Sequence, residues 1–185
     1  MGNLLKPFEH SYIKLVSLII GLIVFVNCQP ETKDIEINKE PIVSTFYLIR
    51  HAEKDRFDPN NDNPELNQKG LDRAIRWAEV FDPITLDHIY STDYERTLMT
   101  AAPTSVKKDI EIELYDPSVL DINTFLKEHE GEQVLIVGHS NTTPDFTNKL
   151  LGKKKHEEMY DDDNASLYIV RVIDSIATDI VLKMD

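Results

Sequence analysis

From Pro41 onward the chain alternates short runs of β-branched and aromatic residues with longer stretches whose apolar residues recur at helical spacing. Ile42–Ile49, Asp87–Tyr90, Ile110–Leu114 and Gln133–Val137 read as strands, the last continuously apolar. Between them, residues 68–81, 94–106 and 122–130 read as helices, and Asn67 stands where it can cap the first. Strands separated by helices of this length predict right-handed βαβ crossovers and a mostly parallel sheet covered on both faces. The expected fold class is therefore α/β, a three-layer αβα domain. A further helix over about 145–151 is followed by two strand-like runs, Leu167–Ile173 and Ile176–Met184, joined by Asp174-Ser175. They predict a C-terminal hairpin at one sheet edge. The sequence shows no internal repeat.

The first forty residues follow a different pattern. Lys6 and Lys14 precede an apolar run from Leu15 to Val26, which ends in Asn27-Cys28-Gln29-Pro30. The run is too short for an ordinary membrane span of ~20 residues but suits the h-region of an export signal. With the only cysteine where the run ends, the segment resembles a bacterial lipoprotein leader, although Phe25-Val26-Asn27 is a loose version of the preferred small-residue approach. The expected organisation is an export signal over 1–27, a tether over 28–40 after a lipidated Cys28, and one domain over 41–185. The expected location is the cell envelope, with the chain anchored by lipid and facing the periplasm or exterior. An uncleaved signal anchor, or a buried helix with an incidental cysteine, is the plainer alternative.

Composition narrows the function. The 185 residues carry 20 Lys+Arg against 33 Asp+Glu, a formal net charge of −13, with 41% hydrophobic residues and one cysteine. That length supports one core and not comfortably two. One cysteine excludes an intramolecular disulfide and any multi-cysteine zinc or iron–sulfur site. The acidic balance argues against nucleic acid as a partner, because such binding depends on Lys and Arg neutralising phosphates. Without residues 1–27, which hold two Lys and one Glu, the net charge is −14. Cations for any phosphate pocket must then be concentrated locally.

They are. Arg50-His51 follows the first strand and Gly138-His139-Ser140-Asn141 follows the fourth, so both histidines are expected at the rim where open α/β sheets bind ligands. Arg96, near the start of the helix after the second strand, belongs to the same end. A guanidinium fork matches phosphate oxygens, which makes Arg50 and Arg96 a natural clamp. A neutral imidazole can attack phosphorus, and neighbouring guanidinium charges favour the neutral form, so His51 is the expected nucleophile. His139 can stabilise charge on the equatorial oxygens. For a leaving group that needs a proton, the sequence offers Asp116, just after the third strand, and Glu53, two residues beyond His51.

Arg50-His51-Ala52-Glu53-Lys54, then Ser91-Thr92-Asp93-Tyr94-Glu95-Arg96-Thr97 with Thr100-Ala101, then Val137-Gly138-His139-Ser140-Asn141, resemble in order and strand context the three blocks of the histidine phosphatase superfamily, also called phosphoglycerate-mutase-like. The resemblance runs from about Ile42 to Met184. It implies a phosphohistidine intermediate on His51, a phosphate pocket of Arg50, Arg96 and His139, and no metal or other cofactor. Ala52, in place of the common glycine, is similar to the Arg-His-Ala-Glu subgroup of small phosphatases. The longer insertions, and the Ser and Asn that follow the first block in mutases, are missing from the sequence. Asp116, in Leu114-Tyr115-Asp116-Pro117, is favoured over Glu53 as the acid.

Taken singly, these residues have plainer readings. Arg50 and Arg96 could be surface ion pairs and His139 a satisfied buried histidine; only their joint placement favours a site. Ser140 and Asn141 are expected to cap the following helix, with a phosphate contact open for Asn141. His88, His129 and His156 show no partner pattern and read as surface or packing residues, and Trp77 as core. Lys153–Lys155 and Asp161–Asp163 read as a solvated loop, the aspartates lacking the glycine turn and terminal Glu of a calcium loop. Tyr160 could line the pocket mouth. The leading expectation is a metal-independent phosphatase, a monomer acting on a small phosphorylated substrate or a phosphoprotein and meeting the membrane only through its leader. The alternatives are a catalytically inactive phosphate-binding relative, a sugar-phosphate mutase, and a metal hydrolase using His51, Glu53 and His139, the last electrostatically awkward beside two arginines.

Overall fold

The computed structural model describes residues 40–184. The leader, Cys28 and nearly all of the tether lie outside the described residues. Among the described residues the order is β1 (Val43–Arg50), α1 (Gln68–Phe81), β2 (His88–Ser91), α2 (Glu95–Lys108), β3 (Ile112–Leu114), α3 (Ile122–Glu128), β4 (Gln133–Gly138), α4 (Thr142–Leu151), β5 (Ser166–Ile173) and β6 (Ile176–Lys183). The strands form one sheet in the order β3-β2-β4-β1-β5-β6. The first four are mutually parallel, and β5 and β6 run antiparallel as the expected hairpin along one edge. Asp174 and Ser175, both at positive φ, make its two-residue turn.

Side-chain alternation along β1 sets the layers. Phe46 and Leu48 join Val134 and Ile136 of β4 on the face covered by Phe125 of α3 and by Phe146 and Leu150 of α4. Tyr47 and Ile49 join Leu135 and Val137 on the other face, under Trp77 and Phe81 of α1 and Ala101 of α2. A strand buried on both faces reads as a continuous apolar run, as β4 does. The result is the three-layer αβα arrangement expected from sequence, with Trp77 in the core.

The boundaries moved where local chemistry intervened. Helix α4 starts at Thr142, three residues before the expected Asp145, because a proline in the first helical turn gives up no intrahelical bond and Pro144 is tolerated there. Neither Ser140 nor Asn141 caps it. Asn141 occupies the cap position without a side-chain cap bond, Ser140 Oγ donates to Glu158 Oε1 (3.2 Å), and Thr142 Oγ1 turns back to accept from His139 N–H (2.8 Å). By contrast, Asn67 Oδ1 accepts from Gly70 N–H (3.0 Å) and caps α1 as the sequence suggests. Among the described residues no helix is long and apolar enough to cross a membrane.

Candidate active site

Parallel register brings the three sequence blocks to one rim. Arg50 lies beside Gly138, Ser91 beside both Val137 and Leu114, so the residues that follow these strands emerge together. They line an open cavity of about 870 Å³ that includes His51, Lys54, Tyr94, Arg96, Asp116 and His139. That volume is ample for a phosphorylated metabolite.

His51 is buried and held on three sides. Its N–H donates to Gly138 O (2.9 Å), its carbonyl accepts from Asn164 Nδ2 (2.8 Å), and its ring Nδ1 sits 2.7 Å from Ala52 O. A carbonyl can only accept, so Nδ1 carries the proton and Nε2 keeps its lone pair. Burial, followed by repulsion from Arg50, His139 and Arg96, outweighs that carbonyl contact and pulls the His51 pKa down to about 3. Both effects favour the neutral ring, whose Nε2 lone pair is available as a nucleophile. His139 meets it edge to face with ring centroids 5.5 Å apart, and has its own pKa lowered to about 4, by burial first and then by Arg96 and Arg50. Thr92 Oγ1 fixes the His139 ring through Nε2 (2.9 Å) and donates on to Thr97 Oγ1 (3.1 Å).

The two arginines are bonded very differently. Arg96 has buried Nε and Nη1 atoms with no hydrogen-bond partner, and its guanidinium carbon stands 4.3 Å from the centre of the Tyr94 ring. Burial, with a further contribution from Arg50, disfavours its charged form. A buried guanidinium with free donors is stabilised by an arriving anion. Arg50 instead braces a loop: Nη1 donates to the carbonyls of Tyr160 (2.9 Å), Asp161 (3.0 Å) and Asp163 (3.3 Å), and Nη2 to Asp161 Oδ1 (3.0 Å). Its buried Nε has no partner, which leaves that donor and part of Nη2 for a ligand. The reading of Asp161–Asp163 as a merely solvated loop is corrected accordingly. Tyr160 is exposed and offers its carbonyl to Arg50.

Glu53 and Asp116 separate cleanly. Glu53 takes both carboxylate oxygens to Arg73 (2.9–3.1 Å) and also pairs with Lys69 (3.1 Å). Those cationic partners overcome its burial and hold its pKa near 2. It lines a neighbouring hollow rather than the main cavity. Asp116 is exposed at the cavity wall, where the Ser118 hydroxyl (2.7 Å) and backbone N–H (2.8 Å) stabilise its ionised form.

Sequence reasoning gave no role to Thr92, Tyr94 or Lys54, although all three sit inside the quoted blocks. Tyr94 faces both Arg96 and the His139 ring (5.0 Å). Thr100 Oγ1 accepts from Ala52 N–H (2.9 Å) and donates to Arg96 O (2.7 Å), linking the His51 loop to the start of α2.

Residues 46–117 match the family described as the histidine phosphatase superfamily (branch 1). The match takes in the first two of the three sequence blocks, those at Arg50-His51 and Ser91–Thr97. No curated protein sequence matches the chain. Among solved structures it is similar to a mycobacterial glucosyl-3-phosphoglycerate phosphatase (14% identity, TM-score 0.58, covering 77% of this chain and all of that one). It is also similar to the protein histidine phosphatase SixA in complex with tungstate (12%, 0.61, 75% and 96%). A third is a mutant of the Entamoeba histolytica phosphoserine phosphatase in complex with phosphoserine (14%, 0.58, 74% and 94%).

Proposed function

We propose that the domain is a metal-independent phosphatase that hydrolyses a phosphomonoester or phosphohistidine through a covalent phosphohistidine intermediate on His51. The observation that carries this reading is the pairing of a neutral, tautomer-fixed His51 with the unpartnered buried donors of Arg96. Nε2 of His51 attacks phosphorus, and the bond from phosphorus to the leaving group breaks as the new P–N bond forms. Arg96 and the Nε of Arg50 stabilise the charge that spreads over the equatorial oxygens, joined by His139 once the arriving dianion favours its protonated form. Asp116 delivers a proton to a leaving oxygen, its carboxyl gaining basicity as the phosphate dianion arrives. Water then attacks phosphorus while Asp116 takes up one of its protons, the P–N bond breaks, and inorganic phosphate leaves with His51 and the Asp116 carboxyl restored. We further propose that the chain is exported and anchored by lipid on Cys28, which favours small phosphomonoesters of the envelope over phosphorelay proteins as substrates.

The test is a quenched reaction with substrate labelled in its phosphoryl group. In alkali the protein should retain acid-labile label on the peptide holding His51, and His51→Ala should retain none. Label that persists in the variant overturns the mechanism; phosphate binding without label or turnover points to an inactive relative. Asp116→Asn should slow esters with poor leaving groups far more than an activated aryl phosphate, whereas Glu53→Gln should affect both alike through pocket geometry.

A further inference from the structure

The other end of the parallel strands holds a second cluster, made by residues the sequence left without partners. His88 opens β2, His129 ends α3, and Glu132 immediately precedes β4. One ligand atom from each lies within 4.8 Å of the others. His129 Nδ1 is 2.7 Å and His88 Nε2 is 3.4 Å from the same oxygen, Glu132 Oε2. Zinc bound at ~2.0–2.1 Å by imidazole and carboxylate separates tetrahedral ligand atoms by ~3.4 Å, so small side-chain adjustments suffice.

The outward nitrogens are held as well. His88 Nδ1 lies 2.6 Å from Glu113 Oε1, and His129 Nε2 lies 3.2 Å from Tyr90 Oη, which itself donates to Glu113 Oε2 (3.0 Å). Metal-bound histidines commonly donate their second N–H to a carboxylate or other oxygen, which fixes the tautomer and orients the ring. Here one carboxylate, Glu113, supports His88 directly and His129 through Tyr90. His129 is buried, while His88 and Glu132 are each about one-third exposed and leave a route from solvent. The close contact between His129 Nδ1 and Glu132 Oε2 is the one a cation would replace.

We propose that His88 Nε2, His129 Nδ1 and a Glu132 carboxylate oxygen form a divalent transition-metal site, best suited to Zn²⁺, with water completing the tetrahedron. Two imidazoles and one carboxylate are ligands of zinc rather than of calcium or magnesium. The ion would tie the turn between α3 and β4 to the start of β2. Its role is structural, because it lies at the opposite end of the parallel strands from the phosphate cavity and supplies nothing to that chemistry. The proposed site departs from the expectation that the chain holds no metal.

The experiment is titration of the full chain with Zn²⁺, without a polyhistidine tag and in a Cys28→Ser background so that the lone thiol contributes no ligand. One equivalent should bind and raise the melting temperature. His88→Ala and Glu132→Gln should each weaken binding at least ~100-fold, whereas Glu113→Gln, acting through His88, should weaken it ~10–100-fold. His88→Ala should leave phosphatase turnover unchanged in excess chelator. His51→Ala/His139→Ala should bind Zn²⁺ as well as the parent does. Failure to bind one equivalent, binding that survives the His88→Ala/Glu132→Gln double variant, or loss of binding in His51→Ala/His139→Ala each overturns the site. None of these outcomes bears on the phosphohistidine reading, which the label on His51 tests separately.

Discussion

Arg96 and Arg50 carry the same charge, but only Arg96 has most of its fork uncommitted. Arg96→Ala should lower turnover ~10²-fold or more, and Arg96→Lys should recover little, since an ammonium does not replace a planar fork. Arg50→Lys should behave differently: one ammonium cannot span the carbonyls of Tyr160, Asp161 and Asp163, so turnover should fall together with faster proteolysis within 158–164. Steady-state kinetics and limited proteolysis separate the two, and near-normal rates in Arg96→Lys would show that phosphate binds elsewhere. At this scale the three blocks made the convergence of His51, Arg96 and His139 legible, because residues just beyond the ends of parallel strands, or at the start of the helix that follows, share one end of the sheet. The brace on Arg50 was not legible. It depends on carbonyl groups more than a hundred residues away, and carbonyls leave no signature in a sequence. The His88 cluster was not legible: His88 and His129 show no partner pattern in the sequence, and His88 reaches Glu113 only through the pairing of β2 with β3.

Helix α1 positions the loop that carries His51 through its first turn. Asn67 N–H donates to Glu53 O (3.0 Å), and a Cβ added at Gly70 would overlap that same carbonyl. Glu53 is two residues from His51, so the close approach that glycine permits here sets the path of the His51 loop. Gly70→Ala should cost ~2–3 kcal/mol by overpacking and should also reduce turnover. The comparison is Gly152→Ala at the end of α4, where φ is +64° and no neighbour lies within 4 Å of the added atom. There the left-handed backbone alone should cost ~1–2 kcal/mol, with turnover unchanged. Urea unfolding and kinetics on both variants check this; equal turnover would mean that α1 does not steer the His51 loop. Helical period and the Asn67 cap made α1 readable. The start of α4 and the shortness of β3 were not, because Thr142 serves the His139 backbone while Asp109, in the left-handed region, turns Ile110 N–H back to Ser105 O.

At the scale of the described residues, a chain of strongly negative charge gathers Arg50, Lys54 and Arg96 around one cavity, which favours an anionic ligand there. The parallel order made that convergence predictable, since crossovers of one hand bring successive strand ends to one rim. The same acidic surface bears on location. It offers little to anionic lipids, and among the described residues no helix is long and apolar enough to cross a bilayer. Two lysines around an apolar run that ends at Cys28, followed by a charged tether, are the features that support export and lipid attachment. The wild type should sediment with membranes and incorporate labelled fatty acid. Cys28→Ser should lose the fatty acid even where an uncleaved leader still holds the chain. An unlipidated wild type with its intact N-terminus in the cytoplasm overturns the anchored reading. The envelope argument then fails with it, and an intracellular phosphoprotein becomes the substrate to test on His51.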